Sequence, residues 1–228
     1  MNWIILSTAI ISLIFTGALF ERFRNRGSAY HLAWGLGALL YGLAALGEAV
    51  NSVVFNEFAL RTWYLGGAML TAPWLGQGSI YLLMRKGRVA SILGALLVLV
   101  SIIALQLVWA TPLDIGSGFD PSISLADQYR DILSRDSLTI ALTIILNIFG
   151  TLALAGGAIF SAYLFWRKRS LLHRAAGNVL IAAGALLPAS GGTSVLAGIA
   201  DWHSLSLLLG VVLLFAGYLV STPSVKKD

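Results

Sequence analysis

Residues 61–109 read RTWYLGGAMLTAPWLGQGSIYLLMRKGRVASILGALLVLVSIIALQLVW. Two apolar runs of some twenty residues flank one basic turn, Arg85-Lys86-Gly87-Arg88. At a rise of about 1.5 Å per residue, twenty residues cover about 30 Å, the thickness of the hydrocarbon core of a bilayer. The stretch therefore predicts two transmembrane helices, about 61–84 and 89–109, joined by a charged turn on one side of a membrane.

The same grammar holds outward in both directions. Of the 228 residues, 58% are hydrophobic and 11% charged, against about 45–50% apolar and 25% charged in a soluble domain. Further apolar blocks predict spans at about 3–20, 30–54, 138–165, 175–200 and 205–220. The expected fold is all-α: one polytopic domain over 1–228, a bundle of seven transmembrane helices. The block from Asn2 to Phe20 lacks a basic leader and a small-residue cleavage site, so it reads as a retained helix. The chain has no cysteine, which removes disulfides, thiolate metal sites and cysteine nucleophiles. Its net charge of +5 comes from short clusters between apolar blocks, which points to topology signals and not to nucleic acid.

Those clusters set the orientation. Twelve of the 15 basic residues follow helices one, three, five and seven: Arg22, Arg24, Arg26, Arg85, Lys86, Arg88, Arg167, Lys168, Arg169, Arg174, Lys226 and Lys227. The opposite side holds Arg61, Arg130 and Arg135. Cytoplasmic loops carry the excess of Lys and Arg. The N-terminus is therefore expected outside and the C-terminus in the cytoplasm, in a multi-pass protein of the cell inner membrane. A miscounted helix would break this alternation. The long connection, 110–137, is expected outside. Its Pro112, Gly116, Gly118 and Pro121 predict irregular backbone. Leu125, Tyr129, Ile132 and Leu133 then share one helical face, which predicts a short amphipathic helix lying at the membrane surface. Asp201, Trp202 and His203 read as a tight turn.

Polar residues inside the spans are few, and each is costly in lipid. Glu48 stands about 9 Å below the outer boundary, Tyr64 about 5 Å, Thr193 about 10 Å, and Asn147, Ser190 and Thr71 about 14–15 Å, all by helical rise. With Arg61 at the outer end of helix three they form one layer, the candidate ligand-binding set: Glu48, Arg61, Tyr64, Thr71, Asn147, Ser190 and Thr193. Glu48 is expected to face the bundle interior beside Arg61, Tyr64 or Asn147. An ion pair with Arg61 that pins the helical hairpin is the structural alternative to a proton or cation site. Pro73 and Pro188 are expected to kink helices three and six and to free the carbonyls of Met69 and Gly184. Trp34, Trp63 and Trp74 are placed to flank a ligand. Trp3, Trp109, Trp166, Trp202 and Tyr30 fall at interfacial depths.

His31, His173 and His203 lie near interfaces without metal-ligand spacing, and no phosphate-binding loop occurs. No metal and no catalytic residue is predicted. Gly37-Ala-Leu-Leu40 and Gly184-Ala-Leu-Leu187 each stand on a helix that follows a basic loop, a trace of two parallel three-helix halves joined by helix four.

Arg61, Trp63, Tyr64, Thr71 and Pro73 resemble the third helix of the microbial rhodopsins, which also have seven helices with the N-terminus outside. The seventh block, Leu205 to Val220, lacks the lysine that binds retinal, and the four lysines lie outside the spans. That implies a rhodopsin-like fold without covalent retinal, with room for a non-covalently held lipid or carotenoid. The three-plus-one-plus-three plan is similar to that of SWEET-type sugar transporters, without their prolines. The runs 63–70, 74–78 and 178–184 resemble a group of bacterial membrane proteins with no assigned activity. Together these features predict a non-enzymatic protein with an outward-facing polar pocket, a transporter or small-molecule sensor. The alternative is an accessory subunit packed against a membrane partner or a second copy of itself.

Overall fold

The computed structural model of the chain describes residues 3–84, 88–114, 118–167, 171–196 and 200–221; of 192–196, 200 and 201 it describes the backbone only. Arg85, Lys86, Lys168, Arg169, Lys226 and Lys227, and the side chains of Thr193 and Asp201, fall outside the described residues.

The described chain is all-α. Helix α1 is Trp3–Arg26 and α2 is Ala29–Asn51. Gly27, with φ +62°, takes the left-handed turn that ends α1, and its amide bonds the Phe23 carbonyl. Rod α3 covers 57–83 in three pieces: Glu57–Trp63, a π-helical stretch Tyr64–Leu70, and Thr71–Leu83. Helix α4 is Val89–Ala110 and the short α5 is Leu125–Ile132. Rod α6, Ser137–Arg167, contains a second π-helical stretch, Leu152–Gly156. Helix α7 is Leu172–Leu196 and α8 is Ala200–Ser221.

Each of the seven expected segments is helical over most of its described residues, and a short helix is present in the long connection. Five rods are long and apolar enough to cross a membrane: α1, α2, α4, α6 and, from Trp202, α8. They mark a membrane protein. The other two, α3 and α7, carry much of the polar layer: Arg61, Tyr64 and Thr71 on one, Ser190 and Thr193 on the other.

One expectation needs correction. Asp201, Trp202 and His203 do not form a turn; they belong to the first turn of α8. Helix α5, the short amphipathic helix, packs on protein. Leu125, Ala126, Ile132 and Leu133 are buried against Leu60, Trp63, Tyr64 and Met69 of α3 and Val108 of α4. Its apolar face found protein to pack on, and α5 also reaches α8. Gln128 locks the approach to α5: its amide donates to the carbonyls of Asp120 and Ile123, and its oxygen accepts from the Asp120 amide.

Helix α2 packs between α1 and α3, and α7 between α6 and α8; α3 meets α6 and α8 meets α1. Six helices therefore close a ring, with α4 laid against its outside on α3 and α6. Close approach needs small residues. A Cβ on Gly150 of α6 would lie 2.6 Å from the Ala72 carbonyl oxygen and nearer still to the Ala72–Pro73 peptide bond, so α3 and α6 touch backbone to backbone there.

Candidate functional site

The irregular turn of α3 is made by Pro73. Without an N–H, Pro73 cannot continue the ladder of bonds back to Met69. The helix widens just upstream: the Thr71 amide bonds Gly66, five residues back. The slack carbonyl is that of Ala68, and Asn147 of α6 donates its side-chain amide to it while also donating to Thr143 O at 2.9 Å. Asn147 therefore holds the backbone of α3. Pro188 sits inside α7 and packs its ring on Gly210 of α8, where a Cβ would lie 2.7 Å from Pro188 Cγ.

Glu48 does face inward. It is 2% exposed, on the face of α2 that meets α3. Gly47 makes room for that meeting, since a Cβ there would lie 3.2 Å from the Trp63 backbone. Glu48 Oε2 accepts from the Trp63 indole N–H at 3.3 Å, and Oε1 accepts from the Ser124 hydroxyl at 3.5 Å. Both bonds are long. Ser124 is the residue that caps α5, its Oγ accepting from the Ala126 amide. The connection that holds Ser124 thus closes over the carboxylate.

Arg61 is not its partner. Its guanidinium bonds Glu57, with Nε at 2.9 Å and Nη2 at 2.8 Å from Oε1, and donates through Nη1 to the Val108 carbonyl of α4. Helical spacing explains the difference: Glu57 is one turn before Arg61 on the same rod, whereas Glu48 lies across the hairpin. Tyr64 and Asn147 do not reach Glu48 either. Tyr64 OH is 3.1 Å from Thr143 Oγ1 and accepts from Arg135 Nη1 at 3.4 Å.

Above this, Trp63, Tyr64 and Tyr129 form an aromatic cluster, with ring centroids 5.3 Å apart for Trp63–Tyr129 and 5.8 Å for Tyr64–Tyr129. The Arg135 guanidinium stands 4.7 Å from the Tyr129 centroid and 5.6 Å from that of Tyr64. A cation over two ring faces is held by their quadrupoles. The contact fastens the end of the connection between α4 and α6 to α3.

The polar layer is therefore divided. Glu48, Trp63 and Ser124 form one group; Tyr64, Thr143, Asn147 and Arg135 form another. Thr71 is 7% exposed and its Oγ1 is buried without a hydrogen bond. Ser190 is exposed, donates to Leu187 O at 2.7 Å and accepts from Trp202 Nε1 at 3.3 Å, away from Glu48. Trp74 ties α3 to α4 through Ser101, at 3.2 Å. Sequence reasoning missed Ser124, Tyr129 and Arg135 as neighbours of the layer. The signal available was the Ser before an amphipathic run, which marks a helix cap but not where that helix docks.

A second feature lies deeper. Phe15, Trp34, Leu75, Leu154, Ile181, Leu214 and Tyr218, one or two from each helix of the ring, line a narrow apolar crevice at its centre. Among the described residues no group of His, Asp or Glu is arranged to hold a metal ion. Comparison with protein-family models, with curated proteins and with solved structures finds no match to this chain.

Proposed function

We propose that this chain is a non-enzymatic protein that crosses the cell inner membrane seven times, N-terminus outside and C-terminus in the cytoplasm, and that its outer half binds a small cationic molecule at Glu48 for transport or sensing. The alternation of basic clusters supports the topology, together with a helical rod at each of the seven apolar segments.

One observation carries the ligand class. Glu48 is a buried acid which, among the described residues, has no basic partner, and its two hydrogen bonds are long. Withdrawing an ionised carboxylate from water costs several kcal/mol unless a counter-charge or strong donors replace the water. An organic cation supplies that charge, and the Trp63 ring beside it supplies an electron-rich wall. In the absence of the cation, a proton does the same work. The Ser124 contact makes the outer connection a cover, so entry from outside requires 118–136 to lift.

The test uses ethidium, an aromatic monovalent cation whose fluorescence reports binding. The full chain in lipid nanodiscs is expected to bind it saturably, and Glu48→Gln, which keeps shape and removes charge, is expected to weaken binding at least tenfold. Equal binding by wild type and Glu48→Gln, or no binding by either, overturns the assignment.

A further inference from the structure

The central crevice has a symmetry that its composition alone does not show. On α2, a Cβ added to Gly37 would lie 2.7 Å from Leu75 Cγ and 2.8 Å from Leu75 N of α3; on α7, a Cβ added to Gly184 would lie 3.0 Å from Leu214 Cγ and 2.8 Å from Leu214 N of α8. Adding 147 to the α2 number and 139 to the α3 number turns the first contact into the second. The same two offsets carry another pair. Gly78 of α3 lies against the Trp34 ring, and Gly217 of α8 lies with its Cβ position 2.8 Å from Ile181 Cγ1 of α7. Two independent contacts obey one rule.

The neighbour relations obey it too. Exchanging α1 with α6, α2 with α7 and α3 with α8 maps the α3–α6 packing onto α8–α1 and leaves the ring unchanged. Six of the seven lining residues fall in matched pairs, Trp34 with Ile181 at an offset of 147, and Leu75 with Leu214 and Phe15 with Leu154 at 139; the seventh, Tyr218, corresponds to Ser79, which does not line the crevice. It therefore lies on the axis that relates the two halves.

The two halves are not chemically alike. Trp34, Tyr41 and Glu48 recur every seven residues on α2, which keeps them on one helical face. Trp34 lines the crevice, Tyr41 OH donates across to Leu207 O of α8 at 2.8 Å, and Glu48 lies beneath the outer cover. The matching positions on α7 are Ile181, Pro188 and Val195. One half carries a ladder of acid and aromatic groups, and the other carries none.

We propose that the chain is a tandem of two parallel three-helix units and that the axis between them is the path of a transported organic cation, running from Glu48 past Tyr41 to an apolar plug formed by the paired side chains Phe15/Leu154 and Leu75/Leu214. This rests on Glu48 as a cation site and chooses transport over sensing. Units that rock about a shared axis open its two ends alternately, and the plug is the end closed here.

The experiment exploits the absence of native cysteine. Leu75→Cys with Leu214→Cys, in vesicles loaded with DNA so that ethidium entry is fluorescent, is treated with a short bis-methanethiosulfonate that bridges facing thiols. Bridging is expected to cut the initial uptake rate at least tenfold, with recovery on adding dithiothreitol, while ethidium still binds the bridged protein. A second variant, Phe15→Ala with Leu154→Ala, is expected to raise uptake at least threefold at unchanged binding affinity. Binding that depends on Glu48 without any uptake, uptake indifferent to the bridge, or thiols that do not bridge would each sink the axial path while leaving the Glu48 site standing. Loss of Glu48-dependent binding in the native chain removes both.

Discussion

Alanine substitutions at two glycines of α6 separate packing from intrinsic helix preference. At Gly150 the new methyl would sit 2.6 Å from the Ala72 carbonyl oxygen and closer to the Ala72–Pro73 peptide bond. Carbon atoms in contact settle at about 3.5–4.0 Å, so α3 and α6 must part by about 1 Å. The obstacle is backbone, which cannot rotate away as a side chain can. Overpacking of this kind costs about 1–3 kcal/mol, and relief of glycine's helical penalty returns about 0.5–1 kcal/mol. At Gly156 nothing lies within 4 Å of the added methyl, so only the relief remains. The two variants should then differ by about 2 kcal/mol, close to thirtyfold in the folding equilibrium. Reversible unfolding in mixed micelles of increasing SDS fraction reads this directly: Gly150→Ala should unfold before wild type, and Gly156→Ala at or after it. Coincident curves would refute the backbone contact between α3 and α6.

Other expectations follow from the same geometry. Arg61→Gln loses the Glu57 pair and the bond to Val108, and should lower stability by about 2 kcal/mol. Its effect should add to that of Glu48→Gln within about 0.5 kcal/mol; coupling above that would restore the ion pair between them. Asn147→Leu leaves the Ala68 carbonyl without its donor and should cost about 1–2 kcal/mol in the same assay, and an unchanged midpoint would show that carbonyl is satisfied otherwise. The Ser122 hydroxyl, at 2.6 Å, and its amide, at 2.8 Å, hold the Asp120 carboxyl below the usual aspartate range. Because the folded pKa is the lower one, this turn is stabilised above the ordinary aspartate value and loses that support as pH falls through the folded value. A carboxyl-carbon NMR titration of Asp120 should therefore give a midpoint below about 3.9, and a Ser122→Ala variant should move it up. A cysteine at Ser117 should react with an impermeant maleimide in intact cells; reaction only after permeabilisation reverses the topology.

The helices were legible because the bilayer imposes a length and a composition on every span, and each apolar block became a rod. The inward turn of Glu48 was legible for the same reason: lipid tolerates no bare carboxylate. Its partners were not. The pairing of Arg61 with Glu57 depends on one helical turn against a crossing between rods, and an estimate of depth, which set Arg61 near Glu48, does not weigh the acid one turn before it on its own rod. The wide turn of α3 was half visible. Pro73 announces an irregularity, but the carbonyl relieved by Asn147 is Ala68 rather than Met69, because the helix takes up the missing bond by widening upstream. The cover over Glu48 was least legible. An amphipathic face in 125–133 says that something apolar lies beneath it, and lipid and protein satisfy that pattern equally. The Gly-Ala-Leu-Leu echo carried more than its four residues promised, since the glycine in each copy opens the same contact to a leucine on the following helix.

Helix α4 stands outside the ring and has the smallest buried share of the five long apolar rods. Under the proposed topology its value is parity. A unit of three spans starts on one side of the membrane and ends on the other, so two units fused head to tail would lie upside down to one another. One extra crossing restores the second unit to the heading of the first. A rod with that task needs length and greasiness, and little else from its sequence. Removing α4 should therefore do more than unfasten a peripheral helix: it would set the basic clusters of the second half against those of the first, and the two halves would compete for which face of the membrane is in.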